Sequence, residues 1–514
     1  MRGLARRTES RAFAFALLAA ILLLAGALRL FRLGAESLWY DEAYSLRVAR
    51  SESLGALVRT AAEGEHPPLY FLLLRGWLAV AAGSEAGLRM PSALFGIALV
   101  AAVYGLARAL ALPRGAALLA AGLTALHPHA LWYAQEARMY TLASCLGALF
   151  LALAARLFST PLASRDRWRP LLAGWAACGA ALLATHYYAL FYMGVALVWA
   201  LATAARIRSA SRRLGRRAPR GLAPSAPLRA VAAAALVWAL AWALESRGML
   251  QAAGGGAGTS WLAYRVSWAT PWHILGDLAT GQVFSAVPPW LRTAATLAGG
   301  ALLAAGALLV RGRSRGALSA RVPLAATLSV MGAAAVVSLW RPVLIGGERY
   351  PTLVAGPFCL AIAVGVGALW RRGGARRAAG LLALTLVVGV QAAYLGRYYR
   401  IRKKTMWREA VQLALGSAQA GDVLCPVPGS FWEPVDYYNV PRMPLCTIDD
   451  LLAGGKTRAW VLDSLPAIGA ERRLLEAGWR PLQRVDVQAD LPRTLVRVTL
   501  FAPPGEIRAV SRTP

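Results

Sequence analysis

Two adjacent carboxylates, Asp41 and Glu42, stand in the stretch LWYDEAYS (38–45), framed by aromatic residues. Such a pair can do general acid–base work, one group taking a proton while the other orients a partner. Further along come Glu65-His66-Pro67-Pro68, then Gln135-Glu136-Ala137-Arg138-Met139-Tyr140, then His186-Tyr187-Tyr188, and finally Gly347-Glu348-Arg349-Tyr350. Arginines beside tyrosines suit an anion, which they hold by charge-assisted hydrogen bonds. Glu65, His66 and His186 are also types that ligate a divalent metal, although no spacing such as HxxxH links them. Taken singly, each group has a plainer reading: a loop acid is solvated, and an Arg-Tyr pair anchors a helix end at an interface. What decides between the readings is where the chain places them.

That placement is governed by hydrophobicity. Of 514 residues 58% are apolar, and the mean hydropathy is +0.49. A soluble chain is nearer 45–50% apolar. The excess is gathered into blocks of about 17–22 residues, enough for a helix to cross roughly 30 Å of hydrocarbon. Eleven blocks qualify, near 12–31, 92–111, 116–133, 139–158, 171–188, 189–205, 230–246, 291–310, 322–340, 351–370 and 378–395. The first is long for the core of a secretory signal and reads as a span. The net charge of +31 would suggest nucleic acid in a soluble protein. Here the basic residues lie between apolar blocks, where they set topology, and no nucleic-acid partner is expected. Only three of the 56 basic residues are lysine, at 403, 404 and 456, a bias that fits a GC-rich genome.

Segments 1–11, 106–115, 156–169, 206–229, 311–321 and 371–377 hold 26 arginines against two acids, Glu9 and Asp166. The positive-inside rule puts them in the cytoplasm. Segment 31–91 carries six arginines and seven acids and should face outward. Eleven crossings from an internal N-terminus leave the C-terminus outside. The stretch 67–83, short and interrupted by Arg75, is expected to lie in the outer interface with its arginine reaching toward headgroups. All the groups named above then fall on the outer side, in four separate loops. An ionisable residue at a membrane costs a few kcal/mol at the bilayer centre, about 2.5–3.5 on insertion scales, so such convergence argues for a site.

The sequence therefore predicts a polytopic α-helical membrane protein. Residues 1–395 form the transmembrane domain, with 31–91 as its first outer loop, and 396–514 form a small extracytoplasmic α/β domain. In the latter, β-branched runs (DVLCPV, RAWVLDS, TLVRVTLFA) alternate with helical patterns (WREAVQLALGSAQ, AIGAERRLLEAG), and GWR marks a turn into PLQRVDV. Cys145, Cys178 and Cys359 fall in spans. Cys425 and Cys446 are the two in the outer domain, where they are either bridged or free.

LWYDEAYS, EHPPLYFLLLRGW, LRMPSALFG and HPHALWYAQEARMY occur in an order that resembles glycosyltransferase family 39-like proteins. That group includes relatives of the protein O-mannosyltransferases and of the lipid A aminoarabinose transferase. The similarity spans roughly 10–200 and returns at GGERYP and MWREAVQLA, leaving 205–340 uncovered. It implies the polytopic GT-C fold with about eleven transmembrane helices. It also implies an inverting glycosyltransferase in a bacterial plasma membrane, moving a hexosyl or pentosyl group from a polyprenyl-phosphate donor. The acceptor would be a hydroxyl or phosphate of an extracytoplasmic lipid, glycan or protein. Asp41 matches the family's catalytic Asp, with Glu42 as alternative base or orienting group. Arg138 and Arg349 would hold the leaving phosphate, with Tyr350 donating a hydrogen bond. Gln135 and Glu136 would bind sugar hydroxyls or hold Arg138, and Glu65, His66, Tyr140, His186 and Tyr187 would line the substrate site. His66 departs from the family, where enzymes like the aminoarabinose transferase carry a Lys before Pro-Pro. No cofactor is firmly implied.

Two other readings stay open at this level. A transporter would place its ionisable groups near mid-membrane and often show internal repeats. A glycan ligase or polymerase would use the same lipid carriers.

Overall fold

A computed structural model describes the chain apart from residues 1, 65, 82, 161–163, 215–224, 255–266, 282–285, 311–314, 340–348, 430–431, 441, 455–456, 465–468, 492–493 and 505–514. The expectations placed on Glu65 and Glu348 fall outside the described residues. The chain divides into two compact units. One comprises 1–31, 51–80 and 89–397, and the other comprises 32–50, 81–88 and 398–514.

The first unit is helical. Among the described residues eight helices are long and apolar enough to cross a membrane: Arg11–Leu30, Glu85–Ala109, Tyr140–Leu157, Ala189–Ser209, Ala226–Ala243, Pro289–Leu309, Tyr350–Trp370 and Gly374–Tyr398. This is a multi-pass membrane protein. The three remaining blocks are helical but fall short in different ways. Block 116–133 is not one helix, since it breaks at His127-Pro128 into Arg114–Leu126 and Pro128–Ala134. Proline lacks the N–H a helix interior needs and suits a helix start, so a new helix begins there. Thirteen residues reach only about 20 Å. Arg165–Leu183 carries Arg165, Asp166, Arg167 and Arg169 in its first turns. The helix Arg315–Val337 is described as apolar only over Ala320–Val336.

The stretch 67–83 holds the helix Leu69–Leu78, whose ten residues span about 15 Å and cannot cross. Tyr70, Phe71 and Leu74 on it are buried. Arg75, half-buried, donates to the Ser51 carbonyl. Close helix packing rests on small residues, as membrane interfaces require. A Cβ at Gly365 would come within 1.9 Å of the Leu302 carbonyl oxygen, so only glycine fits there.

Two polar side chains join the first helix to the broken one. Arg29, completely buried, donates to the carbonyls of Thr124 (3.3 Å) and Ala125 (3.1 Å). These belong to the last turn of a helix, where carbonyls lack intrahelical partners. Gln135 reciprocates, donating to the carbonyls of Arg29 (3.0 Å) and Phe31 (2.9 Å) at the end of the first helix.

The second unit is built on a four-stranded sheet: β1 (Val423–Val427), β2 (Ala459–Asp463), β3 (Arg480–Val487) and β4 (Val496–Ala502). Its order is β1-β2-β4-β3, with β1 and β2 parallel and both β4 pairings antiparallel. The four runs anticipated from sequence are these four strands. Alternation along β1, β2 and β4 gives the sheet two apolar faces. One packs Leu424, Trp460, Leu462 and Val498 with Trp407 and Val411 of the helix Trp407–Ser417. The other packs Cys425, Val461 and Phe501 with Leu474 and Trp479. Gly478 enters β3 at φ 84°, the left-handed turn that GWR implied. Cys425 and Cys446 are disulfide-bonded, with Cα atoms 4.9 Å apart.

Candidate active site

The Asp-Glu pair lies in the second unit, in the first turn of the helix Tyr40–Ala49. Trp39 caps it in extended conformation, and carboxylates in a first turn are favoured by the helix dipole. Successive residues differ by about 100° around a helix, and the two acids meet different surroundings. Glu42 is completely buried, whereas Asp41 is partly exposed. Glu42 Oε2 lies 2.9 Å from Lys404 Nζ and accepts the Trp39 N–H at 3.4 Å. Its carboxylate is thus engaged inside the unit, which suits the orienting role of the two considered for it.

The segment before the helix is held in the same way. Glu36 pairs with Lys403, and its Oε2 accepts the N–H groups of Lys403 (2.8 Å) and Lys404 (2.9 Å). Burial alone would raise the Glu36 pKa, but the Lys403 charge and these N–H groups hold it below the usual carboxylate value. Ser37 Oγ donates to Glu409 Oε2 at 2.8 Å, and the Leu38 N–H donates to Tyr438 Oη at 2.7 Å. Farther along the helix, Arg47 pairs with Glu433 at 3.2 Å.

In the first unit a second group assembles from loops distant in sequence. Arg138, only 2% exposed, donates through Nη2 to His66 Nε2 at 2.7 Å. The loops are fixed by backbone contacts. The His66 N–H donates to the Ala61 carbonyl (3.0 Å), the Leu69 N–H donates to the Ala184 carbonyl (2.9 Å), and Ser92 Oγ donates to the Arg138 carbonyl (3.0 Å). His186 Nδ1 accepts the Tyr188 N–H at 3.2 Å, which leaves its proton on Nε2. Burial pushes His66 well below the ordinary histidine pKa, with the charges of Arg138, His186 and Arg349 adding to the effect. Burial and then Arg138 push His186 down to about 3. Both imidazoles are therefore neutral at pH 7.

An aromatic layer adjoins these groups. The His186 ring packs against Tyr140 (6.0 Å), Tyr188 (5.2 Å) and Tyr350 (5.8 Å), and Tyr188 stacks on Tyr350 at 5.0 Å and 8°. Tyr133 meets Tyr140 edge-on at 4.9 Å. Of the expected residues, His66, Arg138, Tyr140, His186 and Tyr350 thus come together, and Arg349 is near enough for its charge to act on His66. Tyr187 packs its ring on Trp242, and it is Tyr188 that stacks with Tyr350. Gln135 is the helix cap described above, and Glu136 Oε1 accepts the Trp132 indole N–H at 2.7 Å. Among the described residues no three His, Cys, Asp or Glu side chains gather where a metal could be held.

The chain matches a family model described as dolichyl-phosphate-mannose-protein mannosyltransferase over residues 65–215, the segment carrying His66, Arg138 and His186. No curated protein matches the sequence. Among solved structures, ArnT from Cupriavidus metallidurans in the apo state aligns over 96% of this chain and 98% of its own, at 14% identity and a TM-score of 0.55. The chain has the GT-C glycosyltransferase fold. The same enzyme bound to undecaprenyl phosphate aligns over equal shares with a TM-score of 0.51. The oligosaccharyltransferase AglB from Archaeoglobus fulgidus, in complex with an inhibitory peptide and a dolichol-phosphate, aligns over 85% of this chain at 12% identity and a TM-score of 0.52. The chain spans 64% of that enzyme's length.

Two residues that contact the expected groups were missed from sequence, Tyr133 in the first unit and Lys404 in the second, and Tyr188 was named beside His186 without a role. Tyr133 sits inside an apolar run and looks like a span residue. Lys404 did carry a signal, because lysine is so rare in this chain, but composition alone explained that rarity.

Proposed function

We propose that the protein is an integral-membrane glycosyltransferase that moves a sugar from a polyprenyl-phosphate donor to an extracytoplasmic acceptor, inverting the anomeric centre. The observation that carries this reading is the Arg138–His66 contact beside His186 and the tyrosine layer. A buried guanidinium next to neutral imidazoles supplies permanent positive charge where an anion can be desolvated, and aromatic faces suit a sugar or an isoprenoid beside it. The GT-C fold and the match over 65–215 support the same class.

The chemistry follows from the donor. A sugar on a polyprenyl phosphate presents C1 at headgroup level while its tail stays in lipid. Asp41 takes the proton of an acceptor hydroxyl as its oxygen forms the new bond to C1. An acceptor phosphate would need no such proton transfer. The bond from C1 to the phosphate oxygen breaks, and polyprenyl phosphate leaves with the bonding electrons. Arg138 and Arg349 stabilise the charge gathering there, with Tyr350 as a donor. His186 Nε2–H is a further neutral donor. A single displacement inverts C1. We place the site, with 396–514, on the extracytoplasmic side of a bacterial plasma membrane; the Arg-rich segments and the Cys425–Cys446 bridge favour this orientation.

The test uses purified protein and a panel of defined polyprenyl-phosphate sugars. Release of polyprenyl phosphate with transfer to acceptor, of inverted configuration, is expected with at least one donor. Retained configuration, or no turnover of any donor together with solute transport in vesicles, would overturn the reading.

A further inference from the structure

Fifty-three of the 56 basic residues are arginine, yet lysines stand side by side at 403 and 404. Both face acids that flank Asp41. Lys403 pairs with Glu36, five residues before it, and Lys404 pairs with Glu42, the residue after it. Glu36 also accepts the backbone N–H groups of both lysines, so the 403–404 segment is fixed by its main chain while its side chains reach the helix turn. The Lys404 side chain is 8% exposed and that of Glu42 is 0%. An ammonium is compact and directs three donors from one atom, whereas a guanidinium is a wide planar fork, so arginine is no substitute in so closed a position.

A buried ion pair is poor at adding stability. Taking both charges out of water costs several kcal/mol per ion, and an apolar pair of similar shape is often as stable or more so. What such a pair does supply is direction, since it fixes one carboxylate relative to one ammonium. Glu42 also reaches back to the Trp39 N–H, so the pair governs how the helix starts.

We infer that Lys404, acting through Glu42, is the positioning residue for Asp41: it sets the rotation of the first helical turn and so the direction of the Asp41 carboxylate. This rests on the reading of Asp41 as the base. Lys404 itself need not touch substrate.

The experiment compares kcat, KM for the donor and the thermal unfolding midpoint in the full-length purified enzyme. The double variant E42L/K404M replaces the pair by apolar side chains. It should unfold at or above the parental midpoint and keep its KM, yet lose kcat by about tenfold to a hundredfold, the scale that misplacing a reacting group costs. Lys404→Arg, which keeps the charge, should also lose about tenfold or more in kcat at unchanged KM. A kcat within twofold of parental in either folded variant overturns the inference. Asp41→Asn, run alongside, separates the two levels. An inactive Asp41→Asn beside a fully active double variant removes only the positioning role, whereas an active Asp41→Asn removes the base and the positioning role together. Should E42L/K404M not fold, Lys404→Arg decides on the same criterion.

Discussion

Arg138 Nη2 donates to His66 Nε2 at 2.7 Å, which makes the imidazole before Pro67-Pro68 an acceptor and not a cation. Where enzymes like the aminoarabinose transferase place a lysine, this chain places a neutral ring against an arginine. On the proposed reading, the permanent charge for the phosphate is supplied by Arg138 and Arg349. Arg138→Ala should raise the donor Kd and lower kcat together, as should Arg349→Ala, because each removes charge-assisted bonds to the phosphate. Binding of a labelled polyprenyl phosphate, measured beside turnover, checks both. Unchanged donor affinity in the two variants would place the phosphate elsewhere.

The neutral histidines give a pH dependence of fixed sign. Burial depresses His66 in the fold, so below the ordinary histidine value, about 6.5, the unfolded chain binds a proton that the folded chain refuses. Stability from this group is present above about pH 6.5 and is lost as pH falls toward the depressed folded value. The same sign holds for His186, whose window runs from about 6.5 down to about 3. The unfolding midpoint should drop between pH 6.5 and 4.5, and His66→Gln should make that drop shallower. A slope identical in parent and variant would contradict a buried neutral His66.

The disulfide makes a third prediction. Cys425 and Cys446 close a loop of 21 residues beside the pairing of Leu424 with Leu445. Closing a loop of that size contributes roughly 3 kcal/mol in the chain-entropy model. Cys446→Ala should therefore lower the unfolding midpoint of the C-terminal unit by several degrees. Mass spectrometry of non-reduced protein should find no free thiol at either position. A labelled thiol at Cys446 in untreated protein would count against the bridge.

Topology is checked by fusion. With the Arg-rich segments inside, a phosphatase fused after Pro514 should be active and a cytoplasm-only reporter silent. The opposite pattern would invert the orientation of every loop.

The legible parts of this molecule were those governed by short-range pattern. Short β-branched runs marked three strands, the GWR turn before PLQRVDV marked the fourth, and apolar length marked the long helices. The break at His127-Pro128 was hidden because both halves of the block are apolar, so hydropathy passes straight over it. In the site, charge type and loop side were enough to bring Arg138, His66, His186 and Tyr350 onto one list. The roles of Gln135 and Glu42 were not legible, since each depends on partners distant in sequence. Gln135 caps a helix more than a hundred residues earlier, and Glu42 meets Lys404 from the far end of the chain. Spacing says nothing about contacts of that range.

Asp41 and Glu42 offer the sharpest separation of roles, because they are neighbours in sequence with opposite environments. Asp41 is partly exposed, and Glu42 is buried against Lys404. Asp41→Asn keeps shape and hydrogen bonding but cannot take the acceptor's proton, so kcat should fall by about 10²–10⁴ for transfer to a hydroxyl. Donor affinity should stay near parental, since Asp41 is not assigned to the phosphate. Glu42→Gln should act differently. It keeps the contact to the Trp39 N–H but removes the carboxylate charge that faces the buried Lys404 ammonium, and breaking such a pair costs about 3–5 kcal/mol. Its first effect should be a lowered unfolding midpoint, with a smaller fall in kcat per folded molecule than in Asp41→Asn. Transfer rates and unfolding midpoints measured side by side distinguish the two. If Glu42→Gln abolishes turnover without loss of stability while Asp41→Asn stays active, Glu42 is the base and the assignment is reversed.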